Sequence, residues 1–358
     1  MIAVLARLGS PEIAGQYALG VAVIAPILLL AHFRRREPGA ADIRITSLVL
    51  ALLGIAAVGF LEHSVQDRMA LVLVMLAESV EWIAGLYAGR RGAISAGLHG
   101  ILPIVALGVV FGRTGHFGAG LLAVLIVRLL ALFCYDFKRA RQEAPAEDRE
   151  AQVARLAALV PCYFIAHMLG YRALGIYAAM ASLAPVANGL VQALGQAVSP
   201  RLKKLYDDGD REGFSLMSIR MGIAGLLLGM GAFAGARIAG AWLLGGLFGA
   251  EYADQTGLLL AMSAVAGGAF AATLVGSALI AGRRGGERMP LEIAAAAATS
   301  LACVALVPQA GLLGAAGAAG LGSLIRVSGQ LWVLRSILRS PRKPALVALL
   351  NAPLAQKL

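Results

Sequence analysis

Apolar residues run continuously for 16 to 25 positions, break at short polar or charged stretches, and then resume along almost the whole chain. The runs fall at 11–31, 45–61, 69–88, 97–112, 117–134, 173–197, 218–236, 257–281, 290–307 and 312–334. A helix needs about 20 mainly apolar residues to cross roughly 30 Å of hydrocarbon, so the spacing predicts ten transmembrane helices. Strands are a poor reading, because barrels alternate apolar and polar positions in segments of about ten residues. One shorter segment, 153–170, carries Arg155 and Pro161 and is a marginal span.

Composition agrees with the pattern. Of 358 residues, 59% are hydrophobic and 14% charged, with 70 Ala and 44 Gly. Soluble domains carry about 25% charged residues, so too little polar surface exists here to cover a soluble fold. The formal charge of +11 comes from 26 Arg and 5 Lys against 20 acidic residues. These cations sit in alternate interhelical loops, as in membrane proteins that obey the positive-inside rule, rather than in a nucleic-acid platform. Loop 32–44 holds Arg34, Arg35, Arg36 and Arg44, whereas loop 62–68 holds Arg68 beside Glu62 and Asp67. The alternation survives into the second half only if 153–170 also crosses. The C-terminus is then cytoplasmic and the N-terminus outside, with MIAVLARL reading as the end of a helix. The basic clusters, Arg283 and Arg284 among them, are orientation signals that also suit anionic lipid.

The two halves echo each other. LGSPEIAGQYALGVAVIAP (8–26) matches LGYRALGIYAAMASLAP (169–185), each with Leu-Gly, Gly-x-Tyr-Ala and Ala-Pro in order. GHFGAGLLAVLIVR (115–128) matches GAAGAAGLGSLIR (314–326), and both end on an arginine. Both copies run the same way through the membrane, so the repeat is parallel and predicts two helical bundles about a pseudo-symmetry axis. The expected organisation is an N-terminal lobe at 1–134, a cytoplasmic linker at 135–152, a C-terminal lobe at 153–334 and a basic tail at 335–358.

Ionisable groups inside spans are costly and are functional candidates by default. Glu78 and Glu81 lie three apart on one helical face near mid-span, and such a pair can exchange protons or hold a coupling cation. Arg128 and Arg326 occupy equivalent repeat positions. A guanidinium suits bidentate contact with phosphate, although an arginine near a helix end also snorkels. His99 and His167 read as packing residues. The motifs Gly225-x-x-x-Gly229 and Gly231-x-x-x-Gly235, and the series Gly311/Gly314/Gly317/Gly320, read as sites of close helix approach. Cys134, Cys162 and Cys303 are scattered and make no disulfide framework or metal spacing. No metal site or cofactor motif is read, and no phosphate-binding loop of the Gly-x-x-x-x-Gly-Lys-Ser/Thr kind is present.

The run LGYRALGIYAAMASLAPVANGLVQALGQAVSPRLKKLYDDGDREGF (169–214) carries a family resemblance, as do LARLGSPEIAGQYALGVAVIAP, VEWIAGLYAG, LLALFCYDF, LFGAEYA, ALIAGRRGGERMPL and GLLGAAGAA. Taken in order, they resemble the polysaccharide-biosynthesis flippases of the multidrug/oligosaccharidyl-lipid/polysaccharide exporter superfamily. The resemblance implies an all-α polytopic protein, two bundles around a central cavity, and usually twelve or more spans. It also implies export of undecaprenyl-diphosphate-linked oligosaccharide across the bacterial inner membrane by alternating access, for lipopolysaccharide or exopolysaccharide assembly alongside other assembly proteins. Glu81 falls on the family motif. Pro161-Cys162-Tyr163 stands where the family tends to read Pro-Arg-Tyr, and Ala84-Gly85 where it reads Ser-Asp. Two alternatives accompany this reading: a truncated or degenerate member that does not transport, and a membrane-embedded glycosyl or acyl transferase or polymerase.

Overall fold

In hydrocarbon a backbone N–H or C=O finds no water, so each spanning segment must satisfy its own hydrogen bonds, and helices result. The computed structural model describes residues 1–33, 65–87, 97–132 and 149–339, and every regular element among them is helical. The predicted span 45–61, the basic clusters of loop 32–44, most of the linker 135–152 and the tail beyond Arg339 lie outside the described residues.

The elements are α1 (Ile2–Leu8), α2 (Pro11–Phe33), α3 (Val65–Tyr87), a π turn (Gly97–Ile101) leading into α4 (Leu102–Thr114), and α5 (Phe117–Ala131). The second half contains α6 (Arg149–Ala181), α7 (Ala184–Asp207), α8 (Arg211–Phe248), the short α9 (Ala250–Ala253), α10 (Thr256–Ala281) and α11 (Arg288–Arg339). Two of these are interrupted by glycines at positive φ, where a side chain would be strained. The chain breaks at Gly170 (φ 83°) within α6 and at Gly311 (φ 57°) within α11. Across Gly311 the two arms of α11 fold back on each other, since a Cβ on Gly314 would lie 2.1 Å from the Leu306 carbonyl oxygen.

Most predicted spans coincide with these helices, and the marginal segment 153–170 is helical up to the break at Gly170, as the first arm of α6. Its Cys162 and Ile165 are buried against Cys303, Val307 and Ala315 of α11, so packing compensates for its shortness. Three features differ from the expectation. The first is that the predicted span 173–197 is split by a turn at Ser182–Leu183, just before Pro185, into the end of α6 and the start of α7. The segment 201–204, which falls between the predicted spans 173–197 and 218–236, continues α7 to Asp207, and α8 is 38 residues long rather than ending at 236. Helix α8 runs past Arg237 through the apolar stretch 238–248 and ends before Gly249 at φ 108°. For α7 the cause is different: apolarity marks the stretch within hydrocarbon, whereas the helix continues through the polar residues 201–207 until a backbone signal stops it. For α7 that signal is Gly209 at φ 75°, followed by Asp210, whose carboxylate accepts from the Gly213 N–H at 2.8 Å and caps α8.

Because lipid tails are as apolar as leucine, close packing rather than hydrophobic transfer holds such helices together. Helices α8 and α10 meet where Gly225 faces Ala271 and Gly229 faces Gly267; a Cβ on Gly229 would lie 2.1 Å from the Gly267 Cα. Gly231 and Gly235 do not share this role, since a Cβ on either meets open space. They lie on a different face of α8 from the packed glycines, which spacing alone does not reveal.

The Gly-x-Tyr-Ala helices of the two repeats cross at a pair of glycines. A Cβ on Gly15 of α2 would lie 2.0 Å from the Tyr171 carbonyl oxygen, and a Cβ on Gly175 of α6 would lie 1.8 Å from the Pro11 carbonyl oxygen. Counting from the two glycines, Pro11 and Tyr171 are themselves equivalent. Each copy therefore presents the same position to the same partner, as an isologous two-fold contact does. The parallel repeat is thus an approximate rotation axis passing between Gly15 and Gly175.

Candidate functional site

Helix α3 places Glu78 and Glu81 on the face turned toward α5, and α5 presents Arg128 within its last turn, where the helix dipole favours a cation. Arg128 Nη1 lies 2.9 Å from Glu78 Oε1, and Arg128 Nη2 contacts Glu81 Oε2. The Tyr17 hydroxyl of α2 donates to the same Glu78 oxygen at 2.9 Å. The arginine side chain is 5% exposed, against 20% and 33% for the two carboxylates. The guanidinium is therefore the buried centre, and the carboxylates reach it from a more open side. With all three ionised, one formal negative charge remains, which one proton or one monovalent cation would neutralise.

Arg326, in the second arm of α11, has a different setting. Its Nη1 lies 3.4 Å from Glu292 Oε2 on the first arm, and that carboxylate is almost wholly buried. Gln330 is buried one turn further on, and its amide nitrogen approaches Gly276 of α10 together with the Arg288 guanidinium. Both repeat-equivalent arginines are thus paired with glutamate. One carboxylate comes from α3, the other from the helix hairpin that carries the arginine itself. The structure gathers Glu78, Glu81 and Arg128 into one cluster and places Arg326 in another.

Sequence reasoning missed Tyr17, Glu292, Arg288 and Gln330. Tyr17 sits in plain view within Gly-x-Tyr-Ala, but nothing there shows that its hydroxyl meets Glu78, while its counterpart Tyr177 is buried against apolar residues. Glu292 lies two residues inside the apolar run 290–307, and the rule that singled out Glu78 applies to it equally. His99 is buried at the π turn, as a packing residue would be.

At the helix ends nearest the crossing, Arg172 lies 3.7 Å from Glu12 and 3.8 Å from Glu251. All three are well exposed, and such pairs contribute about 1 kcal/mol or less. Arg7 of α1 donates to the Gly246 carbonyl near the end of α8. Leu5 and Ala6 join Leu244, Phe248 and Tyr252 in one buried cluster, so the first helix ties the two halves together at this end.

Buried ion pairs among apolar spans, and two parallel repeats that meet at a glycine crossing, mark a helical polytopic membrane protein. Solved structures identify the fold more narrowly. The chain superposes on a MATE family transporter of the MOP superfamily, in an inward-facing conformation, with a TM-score of 0.59 at 14% identity, covering 94% of this chain and 90% of that one. Against the lipid II flippase MurJ, in an inward closed conformation, the TM-score is 0.64 at 11% identity, covering 93% and 84%. The chain therefore shares the fold of these two solved structures, which is the fold the sequence resemblance implies. Both neighbours are named as a transporter or a flippase. Among curated proteins, the chain is 22% identical over 353 residues to the capsular polysaccharide biosynthesis protein CapF of Staphylococcus aureus, covering 88% of this chain and 89% of that protein. No family model matches the chain.

Proposed function

We propose that this protein flips an undecaprenyl-diphosphate-linked oligosaccharide across the bacterial inner membrane for surface polysaccharide assembly, its C-terminus cytoplasmic, by alternating access of two lobes (1–134 and 153–334). The observation that carries the reading is the Tyr17–Glu78–Glu81–Arg128 cluster, a charged group kept inside the membrane in a fold that a lipid II flippase shares. The relative named for capsular polysaccharide biosynthesis supports the substrate class.

In this mechanism Glu78 and Glu81 take up a proton or coupling cation, and Arg128 responds. While both carboxylates are ionised they hold the guanidinium. Neutralising one weakens that hold and makes the guanidinium available to an anionic diphosphate, for which it offers two parallel donors. Arg326, at 3.4 Å from its single glutamate, is the second diphosphate candidate. Basic residues at the predicted cytoplasmic side, including Arg201, Lys203, Lys204 and Arg283, would meet anionic lipid, and polysaccharide assembly proteins would receive the exported unit.

Depleting the protein in its host tests this reading directly. Lipid-linked repeat units should accumulate on the cytoplasmic leaflet, measured by their inaccessibility to glycosidase added outside intact spheroplasts. Unchanged surface polysaccharide after clean deletion would show that the chain does not serve this step.

A further inference from the structure

Helix α2 runs unbroken through Pro26. Proline has no N–H, so the carbonyl four residues earlier, that of Ala22, has no donor within its own helix. In an apolar interior such an orphan is costly. Here Tyr163, on the first arm of α6, donates its hydroxyl to that carbonyl.

The repeat supplies a built-in comparison. Ala25-Pro26 corresponds to Ala184-Pro185, so Pro185 leaves the Ala181 carbonyl in the same predicament. At that copy the helix does not continue. α6 ends at Ala181 and α7 begins at Ala184, with a turn between them. The turn is closed by the Ser182 N–H donating to Ala178 at 2.9 Å and the Leu183 N–H donating to Met180 at 3.1 Å. Counting back from the paired Leu-Gly steps (Leu8-Gly9 and Leu169-Gly170), the counterpart of Tyr163 is Ile2, which has no hydroxyl. One copy has the proline, the hydroxyl and a continuous helix. The other has the proline, no hydroxyl and a broken one.

We propose that Tyr163 is a positioning residue whose hydroxyl, by satisfying the carbonyl that Pro26 orphans, keeps α2 continuous across a hinge at Ala22–Pro26. The hinge lies between the Gly15 crossing and the far end of α2. Releasing the bond would let that end swing while the crossing stays intact, a motion that could serve lobe opening if the chain is a transporter as proposed. The bond itself does not depend on that reading.

A double-mutant cycle on the purified full chain tests the inference without any transport assay. Tyr163→Phe should lower the melting temperature in detergent by about 2–4 °C, as loss of one buried hydrogen bond does in a chain of this size. It should also speed hydrogen exchange of the α2 amides at 22–25, read by mass spectrometry. Pro26→Ala returns the missing N–H to the Ala22 carbonyl, so in that background Tyr163→Phe should change neither reading appreciably. Equal losses in both backgrounds would reduce Tyr163 to ring packing and overturn the proposal. No change in either background would equally overturn it.

Discussion

Gly15→Leu is expected to separate the two repeats and abolish transport. Even one carbon added at this position would sit 2.0 Å from a backbone carbonyl oxygen, and a backbone cannot step aside as a flexible side chain can. Helices α2 and α6 would have to part, losing the contacts that bury Ala14, Ala18, Leu174 and Ala178. Overpacking a tight core costs about 1–3 kcal/mol and more where the backbone must move, and here two backbones meet. The melting temperature should fall by several degrees or the protein should fail to assemble. Gly175→Leu should behave alike because the crossing is symmetric. Gly231→Leu, at a glycine that faces open space, is the matched control and should leave stability nearly unchanged.

Arg128→Leu is expected to be the most damaging single change at the charged cluster. It leaves Glu78 and Glu81 facing each other without their counter-charge. Removing one partner of a buried ion pair costs about 3–5 kcal/mol. The lower end applies here, because the carboxylates are partly exposed and can recover some solvation or take up protons. That cause has a diagnostic consequence. Adding Glu78→Gln and Glu81→Gln to Arg128→Leu should restore much of the lost stability, because no unpaired charge then remains. It should not restore transport if, as proposed, these charges couple it. Thermal unfolding in detergent reads the first expectation, and vesicle uptake of the lipid-linked oligosaccharide reads the second. A triple variant as unstable as Arg128→Leu would mean that arginine packing, not charge balance, holds α3 to α5.

How much of this was legible in the sequence follows from the kind of information each feature carries. Spans such as 257–281 are written in apolar runs because hydrocarbon admits little else, and α10 occupies nearly those bounds. The end of α7 was misread, since helix termini are set by local caps such as Gly209 and Asp210 rather than by apolarity. The repeat was visible in Gly-x-Tyr-Ala, yet its meaning at Gly15 and Gly175 is a tertiary fact. Identical glycines in two segments show duplication, and only their mutual contact shows that the axis passes between them. The candidate site was half legible. Glu78, Glu81 and Arg128 each stood out as charges within apolar runs, but their pairing joins positions 50 residues apart. A separate role for Arg128 was the natural expectation from its isolation in the sequence. Tyr17 was hidden for another reason, because a tyrosine in an apolar helix attracts no suspicion until its hydroxyl is seen to reach a carboxylate.

The same limit applies to glycine motifs. Gly225-x-x-x-Gly229 and Gly231-x-x-x-Gly235 look alike in sequence, yet one pair lets α10 approach and the other faces open space. Period alone cannot choose between faces of a helix that is apolar all round.

The central claim is that this chain moves a lipid-linked oligosaccharide across a bilayer and that the charged cluster of α3 and α5 drives the movement. Proteoliposomes containing the purified protein and a fluorescent undecaprenyl-diphosphate oligosaccharide measure this directly, with a membrane-impermeant quencher reporting the fraction on the outer leaflet. Protein-dependent redistribution is expected that responds to an imposed proton or sodium gradient and is lost in the Glu78→Gln/Glu81→Gln variant. Redistribution no faster than in protein-free vesicles, or a rate unchanged in that variant, would contradict the claim.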